Sequence, residues 1–257
     1  MITNIDTFEP SPESLDGRKI LLTGATSGIG EALAIKLSAY NCHLILLGRS
    51  KIKLKKLSER LKNSKANIYT YTLDYLKAEA SDYQNFIDYM DENFNAIDVL
   101  VHNAAMLGDR SPIAHYDIGL WQQVMHVNCN AVFILTRCLI SYLVKGNLPT
   151  VLMVSSGVGI KGKAYWGAYS VSKFAIEGLS QILNEEFNQT EIRINVINPG
   201  PTNTNMRAKA YPAEDKSKIP SPETVIPPFL FFISKDAKDI SGIRYEFKTN
   251  SYISIDL

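Results

Sequence analysis

Short, wholly apolar runs alternate along this chain with longer stretches in which apolar residues recur at helical spacing. Val99–Val101 and Val151–Val154 are runs of the first kind, as are Lys19–Leu22 and His43–Leu47 after their first residue, and Ile192–Ile197, interrupted by Arg193 and Asn195, reads as a further strand. Continuous apolar character over so few residues marks strands covered on both faces. Ile68–Leu73 alternates in the manner of a strand with one drier face, and Arg244–Phe247 reads as a last strand. Between them, Glu31–Leu37 has good helix formers and no breaker. Lys51–Lys65 places leucines 54, 57 and 61 on one helical face. Ser81 is a candidate N-cap for a helix to Phe94. Trp121–Val144 and Tyr169–Asn188 are long helical stretches, and Pro222–Ser234 is a short one whose start Pro227-Pro228 must disturb. Residues 1–16 are expected to form a loose N-terminal arm. Residues 201–221, polar and proline-containing, are expected to form a mobile loop. Strand and helix alternate with no linker between two cores, so residues 17–257 read as one α/β domain, a doubly wound parallel sheet of about seven strands with helices on both faces.

In such a sheet, ligands sit beyond the carboxyl ends of the strands where the strand order reverses. Chemistry-bearing residues do follow the strands here. Thr23-Gly24-Ala25-Thr26-Ser27-Gly28-Ile29-Gly30 joins the first strand to the first long helix. Glycines permit a sharp turn and close approach of a ligand, and the helix behind them points free N–H groups and a positive dipole end at it. The stretch serves equally as a plain strand-to-helix turn. Tyr169 and Lys173 stand at i and i+4, on one helical face. Ser156 lies just past a strand, and a glycine-rich segment, Gly157–Gly167, leads from it toward Tyr169. Read alone, Ser156 is a turn residue and Asn128 a polar residue satisfied within a helix.

Composition narrows the classes. Hydrophobic residues make up 46% of the 257, ample for a core, and the formal charge of +1 offers no field for nucleic acid or acidic lipid. The lysines of 51–65 then read as the solvated side of an amphipathic helix rather than as a nucleic-acid contact. The first sixteen residues lack the pattern of a targeting peptide. No apolar run approaches the roughly 20 residues of a membrane span. Cys42, Cys129 and Cys138 lack metal-binding spacing and suit small apolar positions in a reducing compartment. These points lead to the expectation of a cytoplasmic protein without nucleic-acid, membrane or metal partners.

Taken together, Gly24-x-x-x-Gly28-x-Gly30 after Thr23, His102-Asn103-Ala104-Ala105, Asn128, Ser156, Tyr169-x-x-x-Lys173 and Pro199-Gly200 resemble the short-chain dehydrogenase/reductase family, from about Lys19 to Phe247. Within it, residues 102–108, Trp166–Tyr169 and Met206-Arg207 are similar to the YciK-type bacterial oxidoreductases. The resemblance implies a Rossmann-type fold and hydride transfer between a nicotinamide and a carbonyl or alcohol substrate. It implies Tyr169 as general acid and base, Ser156 polarising the carbonyl, and Lys173 lowering the phenol pKa and binding the nicotinamide ribose. Asn128 would hold a water linking Lys173 to solvent. Cofactor contacts would come from Gly24, Thr26, Ser27, Gly28, Ile29 and Gly30 at the phosphates, Asp74, Asn103 and Ala104 on the adenosine side, and Tyr169, Lys173, Pro199, Gly200, Thr202 and Thr204 toward the nicotinamide. The family's usual Asn-Asn-Ala-Gly is here His102-Asn103-Ala104-Ala105, and the extra methyl at 105 crowds the adenosine ribose.

Cofactor choice follows from the second strand, which ends Gly48-Arg49-Ser50 without the acid that binds an NAD ribose. An arginine suits a 2′-phosphate, so NADP(H) is expected over NAD(H), which remains usable. Val158, Ile160, Trp166, Met106 and Met206 would favour an apolar substrate, while Lys161 and Lys163 could attract an acid. The apolar helix to Val144 and the Tyr169–Asn188 helix would pair in a homodimer or homotetramer, as family members often do. The alternatives are a 3-oxoacyl-carrier reductase and a cofactor-binding regulatory protein without turnover.

Overall fold

The computed structural model describes residues 5–255. In chain order the regular elements are α1 (Pro12–Leu15), β1 (Lys19–Thr23), α2 (Gly28–Leu37), β2 (His43–Gly48), α3 (Lys51–Leu61), β3 (Asn67–Thr72), α4 (Ala80–Asn93) and β4 (Val99–His102). There follow α5 (Ile118–Met125), α6 (Ala131–Leu143), β5 (Thr150–Val154), α7 (Gly167–Phe187) and β6 (Arg193–Asn198). The last are α8 (Asn205–Ala210), α9 (Pro227–Ile233), β7 (Ile243–Glu246) and β8 (Ser251–Ser254). The strands form one sheet in the order β3-β2-β1-β4-β5-β6-β7-β8. All pairs are parallel except β7–β8. The antiparallel β8 is one strand beyond the sequence expectation. Its polar Ser251-Tyr-Ile-Ser254 lacks the apolar run of a buried strand, because as an edge it stays half-exposed.

Two apolar layers sandwich the sheet. On one side α2, α3 and α9 pack Leu33, Leu37, Leu57 and Phe229–Ile233 on Ile20, Leu22 and Leu44. On the other, α4, α6 and α7 pack Phe86, Met90, Leu135, Leu139 and Ile176 on Leu21, Ile45 and Leu100. Alternate residues of each strand thus serve opposite layers, as the pleat requires. The strand order reverses at the β1/β4 boundary, where Leu22 lies beside Val101. The crevice past those strand ends is the place for a ligand.

Several expectations need correction. The N-terminal arm is not loose over its described part: Ile5 and Leu15 are fully buried in the first layer, and Phe8 stacks edge-on against Phe231. Residues 1–4 lie outside the described part. The helix expected from Ser81 starts at Ala80, because Glu79 and Asp82 form a reciprocal capping box. The segment 201–221 contains α8, which Thr204 caps by accepting from the Arg207 N–H. Pro227 and Pro228 open α9 at its first positions, where a missing N–H costs nothing. Cys42 is buried, but Cys129 and Cys138 are only partly so.

The long apolar helix is two helices joined by a π turn, His126–Asn130. The continuous helical stretch Ile118–Leu143 contains an 18-residue window of mean hydropathy 1.4, enough by length and composition alone to cross a bilayer, although polar residues interrupt it. Here it covers the sheet, burying Val124, Asn128, Val132, Leu135 and Leu139. A buried asparagine and a π turn in one helix are the mark of a local task rather than of span-filling.

Candidate active site

The glycine turn after β1 has the form of a cradle. Gly24 adopts φ +67° and Gly28 φ +56°, a region that disfavours side chains. A Cβ on Gly24 would stand 2.8 Å from the Ala104 Cα, and one on Gly30 would stand 2.3 Å from the Gly24 carbonyl oxygen. The turn is therefore packed to the limit from behind and open in front. Ser27 is exposed, and Thr26 and Ile29 are half-buried along its rim. The first N–H groups of α2 have no partners within the helix and face this opening.

Thr23 and Asn103 hold the cradle across the β1/β4 boundary. The Thr23 hydroxyl donates to the Val101 carbonyl and accepts from the Asn103 and Ala104 N–H groups, the last two at 3.0 Å. The Asn103 amide donates to the carbonyls of Thr23 and Gly24. Asn103 thus braces the turn instead of offering its side chain to a ligand. Arg49 is exposed beside the cradle, and among the described residues it makes no ion pair or hydrogen bond. Thr26 lies over the same strand end: a Cβ on Gly48 would meet its methyl at 3.2 Å. Asp74, after β3, spends one carboxylate oxygen on the Leu76 N–H.

The other half of the site lies past β5. Ser156 caps the short turn Gly157–Gly159, and its hydroxyl accepts from the Val158 N–H. A Cβ on Gly159 would come within 3.0 Å of the Lys173 Cβ, so glycine lets this turn lie on α7. Ser170 donates to the Val158 carbonyl at 2.6 Å and fixes the same contact. These restraints bring Ser156, Tyr169 and Lys173 together. Burial pushes the Tyr169 phenol up to about 12, with the Ser156 hydroxyl opposing. Burial pushes Lys173 down to about 8, with Glu177 opposing. The Lys173 Nζ donates to the Val154 carbonyl at 2.7 Å and stands 5.7 Å from the Tyr169 ring centroid. The expected lowering of the phenol by Lys173 is therefore not found. The ammonium is turned onto a carbonyl, and desolvation of the phenolate dominates.

Asn128 is buried in the π turn. Its side chain accepts from the Met106 N–H and donates to the Met106 carbonyl and the Ser172 hydroxyl. The protein thus uses both donor positions of that side chain and one of its two acceptor positions. Past β6, Gly200 takes φ +70°, and Thr202 is buried with its hydroxyl on the Pro199 and Gly200 carbonyls. The methyl of Thr204 lies 3.1 Å from where a Gly28 Cβ would be, which brings the start of α8 over the cradle.

Sequence reading missed a buried polar chain beneath this site. Arg244 of β7 donates to Glu177 at 2.9 Å and to the Ser156 carbonyl at 3.1 Å, and also pairs with Glu246. Glu177 also accepts from Ser155. Asn198 donates to Glu246 at 2.6 Å. Arg244 is 3% exposed, so this is an internal clamp joining β5, β6, β7 and α7. The i, i+4 repeat Tyr169, Lys173, Glu177 was its one visible trace. His102, read from the sequence only as a departure from the family motif, is buried, bonded to Thr136 at 2.8 Å, and held down to about 3 by burial and by Lys173.

Residues 18–215 match the family model for short chain dehydrogenases. The chain belongs to the short-chain dehydrogenase family. The Escherichia coli K12 oxidoreductase YciK is 37% identical over 240 residues, covering 93% of this chain and 95% of that one. The 3-oxoacyl-[acyl-carrier-protein] reductase FabG of Thermotoga maritima is 28% identical, covering 89% and 95%. A short-chain dehydrogenase from Escherichia coli CFT073, complexed with NADPH, superposes with a TM-score of 0.89 at 38% identity, covering 93% and 100%. As a family member the chain is an oxidoreductase.

Proposed function

We propose that the chain is an NADP-dependent oxidoreductase interconverting a carbonyl and an alcohol, with Tyr169 as general acid and base. The observation that carries the reading is that Ser156, Tyr169 and Lys173 meet past β5 while the glycine cradle stands past β1, both beyond the carboxyl ends of parallel strands that flank β4. The NADPH complex of the 38%-identical relative supports the cofactor. The residues present fit it: a turn that a Cβ would close at Gly24 and Gly30, and an unpaired Arg49 at the strand end. The diphosphate would lie on the turn at Thr26–Gly30, the 2′-phosphate at Arg49 and Thr26, and the nicotinamide end near Pro199, Thr202 and Lys173. When bound, the cofactor supplies or accepts the hydride.

The chain's own part is the proton. A phenol held at about 12 is fully protonated at neutral pH and stands ready to donate to a carbonyl oxygen. Ser156, on the same face, orients that oxygen. Alcohol oxidation needs the phenolate and gains as pH rises, while reduction does not. Lys173, at about 8, is mostly charged near neutrality and is the nearest group able to return a proton to the phenolate.

The test is cofactor affinity. A hydrogen bond to a charged group is worth about 1.5–3 kcal/mol, or on the order of 10–100-fold. The dissociation constant for NADPH is expected to be smaller than that for NADH by this factor, and Arg49→Asp to abolish or reverse the difference. Equal affinities in the parent protein would sink the cofactor assignment. The FabG relatives favour a second reading, reduction of carrier-bound 3-oxoacyl chains, which a carrier-thioester assay against free ketones decides.

A further inference from the structure

We propose that the substrate carries an anionic group at the end remote from its carbonyl, recognised by a cluster of cations around Tyr211. This rests on the carbonyl–alcohol reading above. Leu107, Trp166, Tyr169 and Ala210 form a small apolar cluster of their own, separate from the sheet layers, with Val158, Met206 and Tyr211 packed on it. The Trp166 ring lies 5.7 Å from Tyr169 and 6.0 Å from Tyr211. One indole therefore separates the proton donor from Tyr211.

Three cations converge on that tyrosine. Arg110 stands 4.4 Å over its ring and 5.2 Å over the Trp166 ring. Arg207 stands 4.0 Å over the Tyr211 ring, and the Lys163 Nζ donates to the Tyr211 hydroxyl at 3.2 Å. They come from three separate segments, before α5, before α7 and from α8, so their meeting is a property of the fold. Only Arg207 is neutralised, by a two-pronged pair with Glu214. Arg110 uses one guanidinium nitrogen on the Ala210 carbonyl, and among the described residues neither it nor Lys163 has an acidic partner. Asp109, its exposed neighbour, makes no ion pair among the described residues. Arg110 and Lys163 are exposed, so water screens their mutual repulsion, and an anion set between them would gain from both. In addition, the Trp166 indole N–H is buried without a protein partner.

The arrangement has an order: proton donor, apolar strip of Val158, Trp166 and Met206, then cations. A carbonyl compound with an apolar body and a terminal carboxylate matches it. A free sugar or a plain hydrocarbon ketone matches only part. A guanidinium already stacked on two rings is preorganised to meet a carboxylate.

The test is calorimetric titration of the protein–NADPH complex with octanoate and octanamide, which have the same chain and differ in charge. Octanoate is expected to bind at least about tenfold more tightly, and the preference to shrink as salt is raised from 0.01 to 0.5 M. In Arg110→Met, and further in Arg110→Met with Lys163→Met, the ratio is expected to fall toward one. Equal binding in the parent protein, or a ratio that survives both substitutions, would overturn the proposal. A parallel assay compares kcat/KM for 7-oxooctanoate and 2-octanone. If octanoate is preferred but neither ketone is reduced, the carbonyl–alcohol reading fails and the anion site stands. If both are reduced equally and both ligands bind equally, the anion site fails and the enzyme reading stands.

Discussion

His102 shows how one residue sets a pH response. The Thr136 hydroxyl gives its proton to the Val132 carbonyl, so it can only accept from His102, which must then carry its proton on Nε2. Nδ1 is left buried without a partner. The imidazole is held down to about 3, against about 6.5 in an unfolded chain. Between those values the unfolded state binds the extra proton, so folding stability falls as pH drops through 6.5 and goes on falling to about 3. The slope from this residue approaches about 1.4 kcal/mol per pH unit. His102→Asn, which restores the residue usual in the family, is expected to flatten the dependence of the urea midpoint on pH between 6.5 and 4. An unchanged slope would mean that the imidazole is already charged in the folded state. The same lesson applies to Tyr169 and Lys173. Their spacing and partnership were readable, but the direction of the phenol shift was not, because burial is set by the rest of the fold.

At the scale of elements, the β1 and β4 ends work as one unit. Thr23 ties them through three hydrogen bonds while it is 1% exposed. Thr23→Val keeps the shape and orphans two N–H groups and a carbonyl. Buried groups left without partners cost about 1–3 kcal/mol each, so a loss of about 2–4 kcal/mol in chemical denaturation is expected, with weaker NADPH binding. A loss below about 0.5 kcal/mol would show that these bonds are not what holds the cradle. Strands β1, β2, β4 and β5 were legible because they are nearly continuous apolar runs. The capping box at Glu79, the π turn at His126–Asn130 and edge strand β8 were not. A charged cap, a helix defect and a polar strand leave no periodic trace, and each exists through its neighbours. Arg244 was hidden for the same reason, since no local pattern says that a strand arginine will be buried against Glu177 and the Ser156 carbonyl.

At the scale of the whole molecule, α6 and α7 together leave an apolar surface among the described residues. Val171, Phe174 and Ile182 lie along the outer side of α7, 43%, 43% and 57% exposed, and Phe133 on α6 is 51% exposed. An exposed stripe of this kind marks an interaction surface, and a twofold axis lets the same face meet itself. We propose self-association through α6 and α7. Sedimentation at micromolar concentration is expected to give a dimer or tetramer, and Phe133→Glu with Phe174→Glu to shift it toward the 28.7 kDa monomer. A parent protein that sediments only as monomer would contradict this.

In the proposed mechanism Tyr169 moves the proton while other residues hold the cofactor. Its most direct test compares the parent with Tyr169→Phe, which removes one oxygen and leaves the packing on Trp166. The measurement is kcat/KM with the preferred carbonyl substrate, together with the NADPH dissociation constant of each protein. Turnover is predicted to fall by roughly 10²–10⁴ with NADPH affinity within a few-fold of the parent, the usual worth of general acid catalysis. A Tyr169→Phe protein that binds NADPH and turns over at the parent rate would contradict the account.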